Sequence, residues 1–443
     1  MTQPPDIVVL EDGRVDLRRQ VVERSGSVER LTTLEAQLLG YLAARPSRNV
    51  ARDALLREVW GFAGRIPRTR APDFAMGRLR RKIERDPARP QLLLTVFGEG
   101  YRFEPVGADP GAELTTVPPP GAAYHRSWYA NRPDAEATAR QLLDQPCAPV
   151  VVLGPPGAGK TWFVEHLVET LPGPGDRVAW LPAPSSSSEA VEQIAVELAL
   201  AVDLEEARAV ASVEGAGRPV RRLGRFLEQV VLPAVGERLF VVVDGLESWP
   251  RVSGDDVRML LQGWSSDRRE PWDRLRLVVA EGNRPDRPVH VSSMDLVPPI
   301  VLDDLTPTAI LGLVERHDLG WTEEQLSTLE ARVGGHPRLV ATALYEARQG
   351  RSIAETLAQA PRPEGPFGPW LRQQLRWIDA DPHLRETVRT VLAAPGAELD
   401  YLRAHRLERA GILKPDGYGW RIRYSLLAAF LEASRWADVS GPA

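Results

Sequence analysis

The segment from Gly154 to Thr161, with the sequence GPPGAGKT, constrains the fold of this chain more than any other. It fits the pattern G-x-x-x-x-G-K-[ST], follows the Val-rich run at 150–153 and precedes a helical pattern at 162–169. A phosphate-binding loop needs that context, because its backbone N–H groups must converge on an anion at the start of a helix. The pattern therefore predicts a strand, loop and helix within a parallel α/β sheet that binds a nucleotide.

The residues of this loop, called the P-loop below, divide the chemistry among themselves. Small residues leave backbone N–H groups free to cradle phosphates, Lys160 reaches the β and γ oxygens, and Thr161 coordinates Mg²⁺. The expected cofactors are ATP or ADP with Mg²⁺. The loop residues expected to bind the nucleotide are Gly154, Pro155, Pro156, Gly157, Ala158, Gly159, Lys160, Thr161 and Trp162.

A second apolar run, LFVVVDGLES, begins at Leu239 and carries two acidic residues. Asp244 ends the predicted strand, where a Walker B acid holds Mg²⁺, and Glu247 is the candidate that orients or deprotonates the attacking water. Because Glu247 does not directly follow Asp244, a surface or helix-capping glutamate is the alternative. The expected catalytic residues are Lys160, Asp244 and Glu247. After the strand at 275–280, Asn283 and Arg284 are weaker candidates for sensing the γ-phosphate.

Length and charge indicate several domains with different surfaces. At 443 residues the chain exceeds what one hydrophobic core usually serves. Residues 1–105 carry 19 Lys and Arg against 14 Asp and Glu, whereas the remainder carries 36 against 46. Within 48–89 the counts are 12 and 5, which favours a polyanion if these side chains share a face. A solvated basic surface is the alternative.

Residues 6–105 resemble the OmpR/PhoB-type winged helix. The resemblance rests on four segments in the order and spacing of that family, namely LTTLEAQLLGYLAARP, ALLREVWG, RAPDFAMGRLRRKIERDP and TVFGEGYRF. It implies that residues 72–85 form a recognition helix for the major groove of double-stranded DNA and that residues 95–103 form the wing. Ala75 departs from the polar residue that the family often has there, so base recognition by that turn is in doubt.

The periodicity of the predicted recognition helix agrees with this assignment. Met76, Leu79 and Ile83 recur on one face and should point into the core, which leaves the basic side chains outside. Those side chains can bind phosphates or base edges, or they can simply be solvated. The wing arginine is placed to reach the minor groove or the backbone. The candidate DNA-binding residues are Arg68, Arg70, Arg78, Arg81, Lys82 and Arg102.

From Trp128 to about Phe430 the chain resembles the AAA-like branch of the STAND signalling NTPases. The carrying segments are WYANRPDAE, DGLES, LDDLTPTAILGLVERHDL, GGHPRLVATALYEA and LRETVRTVLAAPGAELDYLRAHRLERAGIL. The resemblance implies that Pro337 belongs to a lid and packs near the adenine, and that residues 128–133, including Arg132, line its other side. It also implies a second winged-helix module at 383–430, which lacks the basic density of residues 48–89 and is expected to be regulatory.

The expected fold class is therefore multidomain: an N-terminal α+β winged helix, a central α/β P-loop NTPase with a helical lid, and a C-terminal winged-helix-like domain. Pro, Gly and Ala dominate residues 107–123 and mark a linker. The predicted segments are the winged helix at 1–105, the linker at 106–123, the NTPase core at 124–302, the lid at 303–360 and the C-terminal domain at 361–443.

Two functions fit this organisation. The first is a DNA-binding transcriptional regulator controlled by an ATP/ADP switch with slow hydrolysis, expected to form a homo-oligomer and to contact RNA polymerase. The alternative is an ATPase of a defence or mobile-element system, recruited to DNA or to a partner protein by its winged helix. The lone Cys147 and the absence of an apolar leader or of a run of about 20 apolar residues predict a cytoplasmic protein without membrane contact.

Overall fold

The computed structural model divides the chain into two compact units, which are described separately. The first unit comprises Met1–Thr116, Val168–Val243 and Asp267–Arg276, and the second comprises Val117–Leu167, Asp244–Ser266 and Leu277–Ala443. The structure describes residues 5–10, 12–24, 27–62, 71–85, 90–96, 100–105, 124, 126–146, 148–173, 175–181, 190–204, 209, 212–213, 219–248, 260–264, 267, 269–283 and 298–433.

The first unit begins with an antiparallel sheet of four short strands in sequential order. These are β1 (Ile7–Leu10), β2 (Gly13–Asp16), β3 (Val21–Arg24) and β4 (Ser27–Arg30). Val8, Leu10 and Val15 lie buried in the core because alternate side chains of a strand point to one face. Strands of four residues are too short for periodicity in the sequence to separate them from loops.

Three helices and a hairpin complete the winged helix. The helices are α1 (Thr33–Ala43), α2 (Arg52–Glu58) and α3 (Ala71–Ile83), and the hairpin pairs β5 (Leu93–Val96) with β6 (Gly100–Phe103). A capping box opens α1, where Thr32 accepts from the Glu35 N–H and the Glu35 carboxylate accepts from the Thr32 N–H. Met76, Leu79 and Ile83 of α3 are fully buried, as predicted.

A parallel five-stranded sheet has the order β11-β7-β10-β9-β8. Its strands are β7 (Val150–Gly154), β8 (Arg177–Leu181), β9 (Leu239–Asp244), β10 (Leu275–Gly282) and β11 (Ile300–Val301). β7 pairs in parallel with β10 and β11, and β8 pairs in parallel with β9. The near-continuous apolar sequences of β7 and β9 are typical of strands that helices cover on both faces. The predicted α/β P-loop fold is confirmed.

Four helices accompany this sheet along the chain. They are α4 (Pro133–Asp144), α5 (Lys160–Thr170), α6 (Ala190–Ala201) and α7 (Pro219–Phe226), and α7 continues into a π-helical turn at Leu227–Val231. α5 follows the P-loop directly, as the motif requires. α6 packs against β8 and α7 within the first unit.

The remainder of the second unit is mostly helical and shares one apolar core. The helices are α8 (Pro307–Arg316), α9 (Glu323–Val333), α10 (Pro337–Arg348), α11 (Ile353–Ala358), α12 (Gly368–Asp379), α13 (Pro382–Ala393), α14 (Tyr401–Arg409) and α15 (Ser425–Ala433). The hairpin of β12 (Leu413–Asp416) and β13 (Gly419–Ile422) lies between α14 and α15. In the described part of the chain, every helix is too short or too polar to cross a bilayer.

Candidate nucleotide site

The P-loop joins the end of β7 to the start of α5. β7 is buried along its whole length, which fixes the position at which the loop begins. Gly157 and Gly159 have φ angles of +79° and +87°, a left-handed conformation that glycine adopts without strain. Alternation of left-handed and right-handed residues turns successive N–H groups toward one side and makes a nest for an anion. The loop thus has the backbone form that its sequence predicts.

Lys160 lies against the backbone of its own loop. Its ammonium donates to the carbonyl oxygens of Gly154 and Pro155, both at 3.0 Å, and the residue is only 9% exposed. Burial lowers its pKa, and the nearby carboxylates of Glu247 and Asp244 partly oppose that shift. A charged group held in this way is available to phosphate oxygens once they replace the two carbonyls.

Two acids bracket the start of α5. The Thr161 hydroxyl donates to the Asp244 carboxylate at 2.7 Å, so the residues predicted to hold Mg²⁺ are neighbours. The Glu247 carboxylate accepts from the Gly282 N–H at 2.7 Å, at the end of β10. A Cβ placed on Gly282 would lie 2.5 Å from Glu247 Oε1 and 3.4 Å from Lys160 Nζ. Glu247 therefore shares the site with Lys160 and does not cap a helix through an observed bond.

The oxygen donors around Thr161 fit a magnesium ion that is also bound by phosphate and water. Among the described residues there is no group of three or more His, Cys, Asp or Glu side chains arranged to hold a metal. Mg²⁺ is commonly bound by one or two protein oxygens together with phosphate oxygens and water. The hydroxyl of Thr161 and the carboxylate of Asp244 supply that limited set.

Helical residues that follow the sheet pack directly on the P-loop at Gly157. A Cβ placed there would lie 2.6 Å from His336 Cε1, 2.8 Å from Trp370 Cζ2 and 3.0 Å from Arg338 Cβ. One placed on Gly159 would meet Pro337 Cβ at 3.9 Å. Only glycine permits so close an approach at Gly157. The lid element predicted around Pro337 therefore contacts the loop itself.

His336 joins the start of α10 to the loop through one ring nitrogen, while the other nitrogen bonds within α10. Its Nε2 lies 3.2 Å from the Pro156 carbonyl oxygen, and its Nδ1 accepts from the Leu339 N–H at 3.4 Å. An imidazole that donates from one nitrogen and accepts at the other is neutral. Burial, with the residue 3% exposed, lowers the pKa of His336 to about 3 and keeps it neutral.

The C-terminal part of the second unit also reaches the loop. A Cβ placed on Gly411 would lie 2.8 Å from the Pro155 Cβ. The Asp304 carboxylate, just after β11, accepts from Arg423 Nη2 at 3.0 Å and from the Tyr424 hydroxyl at 2.8 Å. The Tyr424 ring packs edge-on against His336, with centroids 5.2 Å apart. The latch formed by Asp304, Arg423 and Tyr424 joins the end of β11 to the C-terminal hairpin.

The residues predicted to line the base occupy defined positions. Arg132 donates from Nη2 to the Ala158 carbonyl at 3.0 Å and from Nη1 to the Asp303 carbonyl at 2.8 Å. Trp128 stacks on His317 with ring centroids 3.7 Å apart. Trp162 meets Tyr124 edge-on at 5.9 Å. Arg132 thus holds a P-loop carbonyl, whereas the aromatic side chains pack on one another.

The basic residues of the winged helix differ in their surroundings. Arg78 Nε lies 3.5 Å, and Lys82 Nζ 2.8 Å, from the buried Glu35 carboxylate, and Arg102 pairs with Glu104 at 2.8 Å. Arg81 is exposed. Of the remaining sequence candidates, Arg68, Arg70 and the sensor candidate Arg284 lie outside the described residues, whereas Asn283 directly follows β10.

Comparison with known families agrees with both halves of this arrangement. Residues 119–433 match the family described as AAA-like domain, which accounts for most of the chain. The chain belongs to the AAA-like domain family. Residues 26–103 of this AAA-like protein match the family described as transcriptional regulatory protein, C terminal. The predicted combination of an OmpR/PhoB-type DNA-binding domain with an AAA-like P-loop domain is confirmed.

Individual relatives of the AAA-like protein match either its DNA-binding domain or its AAA-like part. The DNA-binding response regulator MtrA of Mycolicibacterium smegmatis is 40% identical over 104 residues, which cover 23% of this chain and 45% of MtrA. The chain therefore spans less than half the length of this curated relative. A Walker-type ATPase of Pyrococcus abyssi is 13% identical and covers 69% of this chain and 97% of its own, with a TM-score of 0.49. A STAND protein with a tetratricopeptide repeat sensor from Pyrococcus horikoshii is 12% identical. The match covers 73% of this chain and 44% of the STAND protein, with a TM-score of 0.37.

Sequence reasoning missed the residues that cover the P-loop from a distance. Trp370, Gly411 and Arg423 lie more than 200 positions from Gly157. The GGHP element points to Pro337, and the segment at 384–413, which contains Gly411, indicates a family resemblance but no contact with the loop. Nothing in the sequence indicates that Asp304 and Arg423 pair.

Proposed function

We propose that this protein is a transcriptional regulator that binds double-stranded DNA through its winged helix and is switched by ATP or ADP at the P-loop. The observation that carries the proposal is the packing of the lid and of α12 on the loop, with His336 at Pro156 and Trp370 at Gly157. A ligand bound at this loop would change the contacts that the lid makes with it. Nucleotide occupancy and lid position are therefore coupled, and a ligand shifts such an equilibrium by its differential affinity for the two states.

The proposed roles of the site residues follow from their positions. Lys160 exchanges its bonds to the Gly154 and Pro155 carbonyls for phosphate oxygens, and Thr161 with Asp244 holds the magnesium ion. Bound Mg²⁺ would neutralise phosphate charge. Glu247 is held by the Gly282 N–H near Lys160, and there it orients or deprotonates the attacking water. Hydrolysis is proposed to be slow, because a switch needs long-lived states.

The C-terminal elements extend the switch beyond the lid. We propose that α13, α14, the hairpin and α15 form a winged-helix-like module, with three helices and a wing, that holds the closed form through the latch. Release of that module is proposed to permit self-association, which would place two DNA-binding domains on adjacent half-sites and raise the effective affinity. In this scheme we keep the five segments proposed from the sequence, namely the winged helix at 1–105, the linker at 106–123, the NTPase core at 124–302, the lid at 303–360 and the C-terminal domain at 361–443.

Replacement of one lysine tests the nucleotide site. Lys160→Ala is expected to remove the phosphate-binding charge and to weaken binding of a fluorescent ATP analogue at least about 100-fold, which corresponds to about 2.7 kcal/mol. Lys414→Ala, in β12, is the matched control and should bind as the parent protein does. Equal affinity in the parent and in Lys160→Ala would refute the assignment of the site.

Genome-wide footprinting with and without ATP tests the regulatory role. Discrete protected sites near promoters, whose occupancy depends on the nucleotide, are expected. The Lys160→Ala variant should give the same footprints with and without ATP. Absence of DNA binding in every nucleotide state would exclude a transcriptional regulator.

A further inference from the structure

Helix α3 has a neighbour that a winged helix alone would not provide. Besides α1 and α2, it packs against α6 of the α/β part, and all four helices belong to the first unit. A recognition helix must offer its outer face to the major groove. A contact with α6 could therefore block access of DNA to that face.

The charges on the two sides of this contact are opposite. Met76, Leu79 and Ile83 form the buried face of α3. Arg78 and Arg81 lie on the side away from that face, and Lys82 lies at the edge of that side. Across from them, Asp203 follows the C-terminal end of α6 and Glu169 lies in the last turn of α5. Both acids belong to the α/β part of the first unit.

Electrostatic effects agree with the packing of α3 against α6. Burial raises the pKa of the Asp203 carboxyl, while Arg78 and Lys82 lower it. Burial lowers the pKa of Arg81, and Glu169 opposes that change. Such influence requires separations short enough that solvent does not screen the charges. Glu169 in the last turn of α5 and Asp203 after the end of α6 are together called the acidic patch below.

Two of the three basic side chains are largely buried. The side chains of Arg78 and Lys82 are only 15% and 19% exposed. Glu35 of α1 holds both from one side, at 3.5 Å and 2.8 Å. α6 supplies a further contact to α3 that is not part of the winged helix.

We propose that the acidic patch of Glu169 and Asp203, together with α6, occupies the DNA-reading face of α3 and competes with double-stranded DNA for it. The carboxylates take the place of phosphate oxygens, because both present anionic acceptors to arginine and lysine. In this closed form the apparent affinity for DNA is reduced by the fraction of molecules in which α3 is free. The inference rests on the proposed DNA-binding function and adds a physical restraint on it.

Charge-neutral variants of the full chain test this competition. In Glu169→Gln with Asp203→Asn, the restraint is weakened, so the Kd for a random-sequence 30-base-pair duplex should fall about three- to tenfold at low salt. The matched control is Glu330→Gln on α9, which removes a negative charge from an exposed position in the second unit. The control should change the Kd less than about twofold.

A third variant separates failure of this inference from failure of the proposed function. Arg78→Ala in the double-variant background should weaken DNA binding again, because the released face would lose a phosphate contact. If the parent protein and the double variant bind DNA equally, the competition is refuted while DNA binding stands. If neither the parent nor the double variant binds DNA at any salt concentration, both proposals are overturned.

Discussion

His336 shows how one side chain can tie a lid to a phosphate-binding loop. Its ring donates toward Pro156 and accepts from Leu339, and both bonds need the neutral tautomer with hydrogen on Nε2. A protonated ring would lose the acceptor and place a charge in a site where only 3% of the residue is exposed. The contact between lid and loop is therefore sensitive to acid.

Acidification should destabilise the protein through this residue. The folded pKa of His336 is about 3, below its ordinary value of 6.5, so between these values the unfolded chain binds a proton that the folded protein does not. The free energy of unfolding is therefore undiminished by this residue above pH 6.5 and falls as the pH drops toward 3. Between pH 7.5 and 5.5 the loss is expected to be about 1.4 kcal/mol, measured by urea unfolding.

His336→Asn is the control for this pH dependence. Asparagine keeps a side-chain acceptor at the start of α10 and does not titrate in this range. The variant should be less stable at pH 7.5 but should lose less on acidification. Parallel losses in the two proteins would show that other groups cause the effect.

At the scale of elements, the Glu84 carboxylate joins the end of α3 to the start of β5, beside Arg80, which donates to the Leu93 carbonyl. Glu84, directly after α3, accepts from the N–H groups of Gln91, Leu92 and Leu93 at 2.9, 3.0 and 2.7 Å. Glu84 is buried, so these donors have no access to bulk water. The end of the helix and the start of β5 are therefore held in one arrangement.

Glu84→Ala should loosen the wing and destabilise the winged helix. It leaves buried N–H groups without an acceptor, at a cost of about 1–3 kcal/mol, seen as a lower thermal midpoint of that part of the chain. Glu23→Ala removes the partner of Arg14 on the exposed sheet and should cost less than about 1 kcal/mol. Equal midpoints for Glu84→Ala and the parent would contradict the anchoring role.

For the molecule as a whole, charge is divided between the DNA-binding segment and the rest. Residues 1–105 carry five more basic than acidic groups, whereas the complete chain has a net charge of -5. Attraction to DNA must then be local, because the overall charge opposes it. Screening by salt weakens both the attraction to phosphates and the distant repulsion.

DNA affinity should consequently fall steeply with salt. On a double-logarithmic plot, each phosphate contact contributes a slope of about -0.9, so Arg81→Ala should reduce the slope by about 1. Arg351→Ala, an exposed arginine paired with Glu346 in the second unit, should leave the slope unchanged. A salt-independent Kd, measured by fluorescence anisotropy, would argue against phosphate contacts.

The local parts of the site could be read from the sequence. The P-loop, the strand that ends in Asp244 and the core face of α3 depend on short patterns, since a strand, a turn or a helical face is specified by neighbouring residues. The bonds Thr161–Asp244 and His336–Pro156 lie where those motifs indicated a site. The roles assigned to Glu247 and to the individual DNA-binding residues stay predictions.

The tertiary structure alone decided what covers the motifs. Trp370 and Gly411 reach the P-loop, and α6 with Asp203 reaches α3, although no periodicity or spacing connects these segments. Such contacts depend on how helices pack around a shared core, which is a property of the whole chain and not of any window of it. The sequence by itself determined that this protein has a phosphate-binding loop and a winged helix. Packing determined that the loop lies beneath a lid and that the basic face of α3 lies beside acidic side chains.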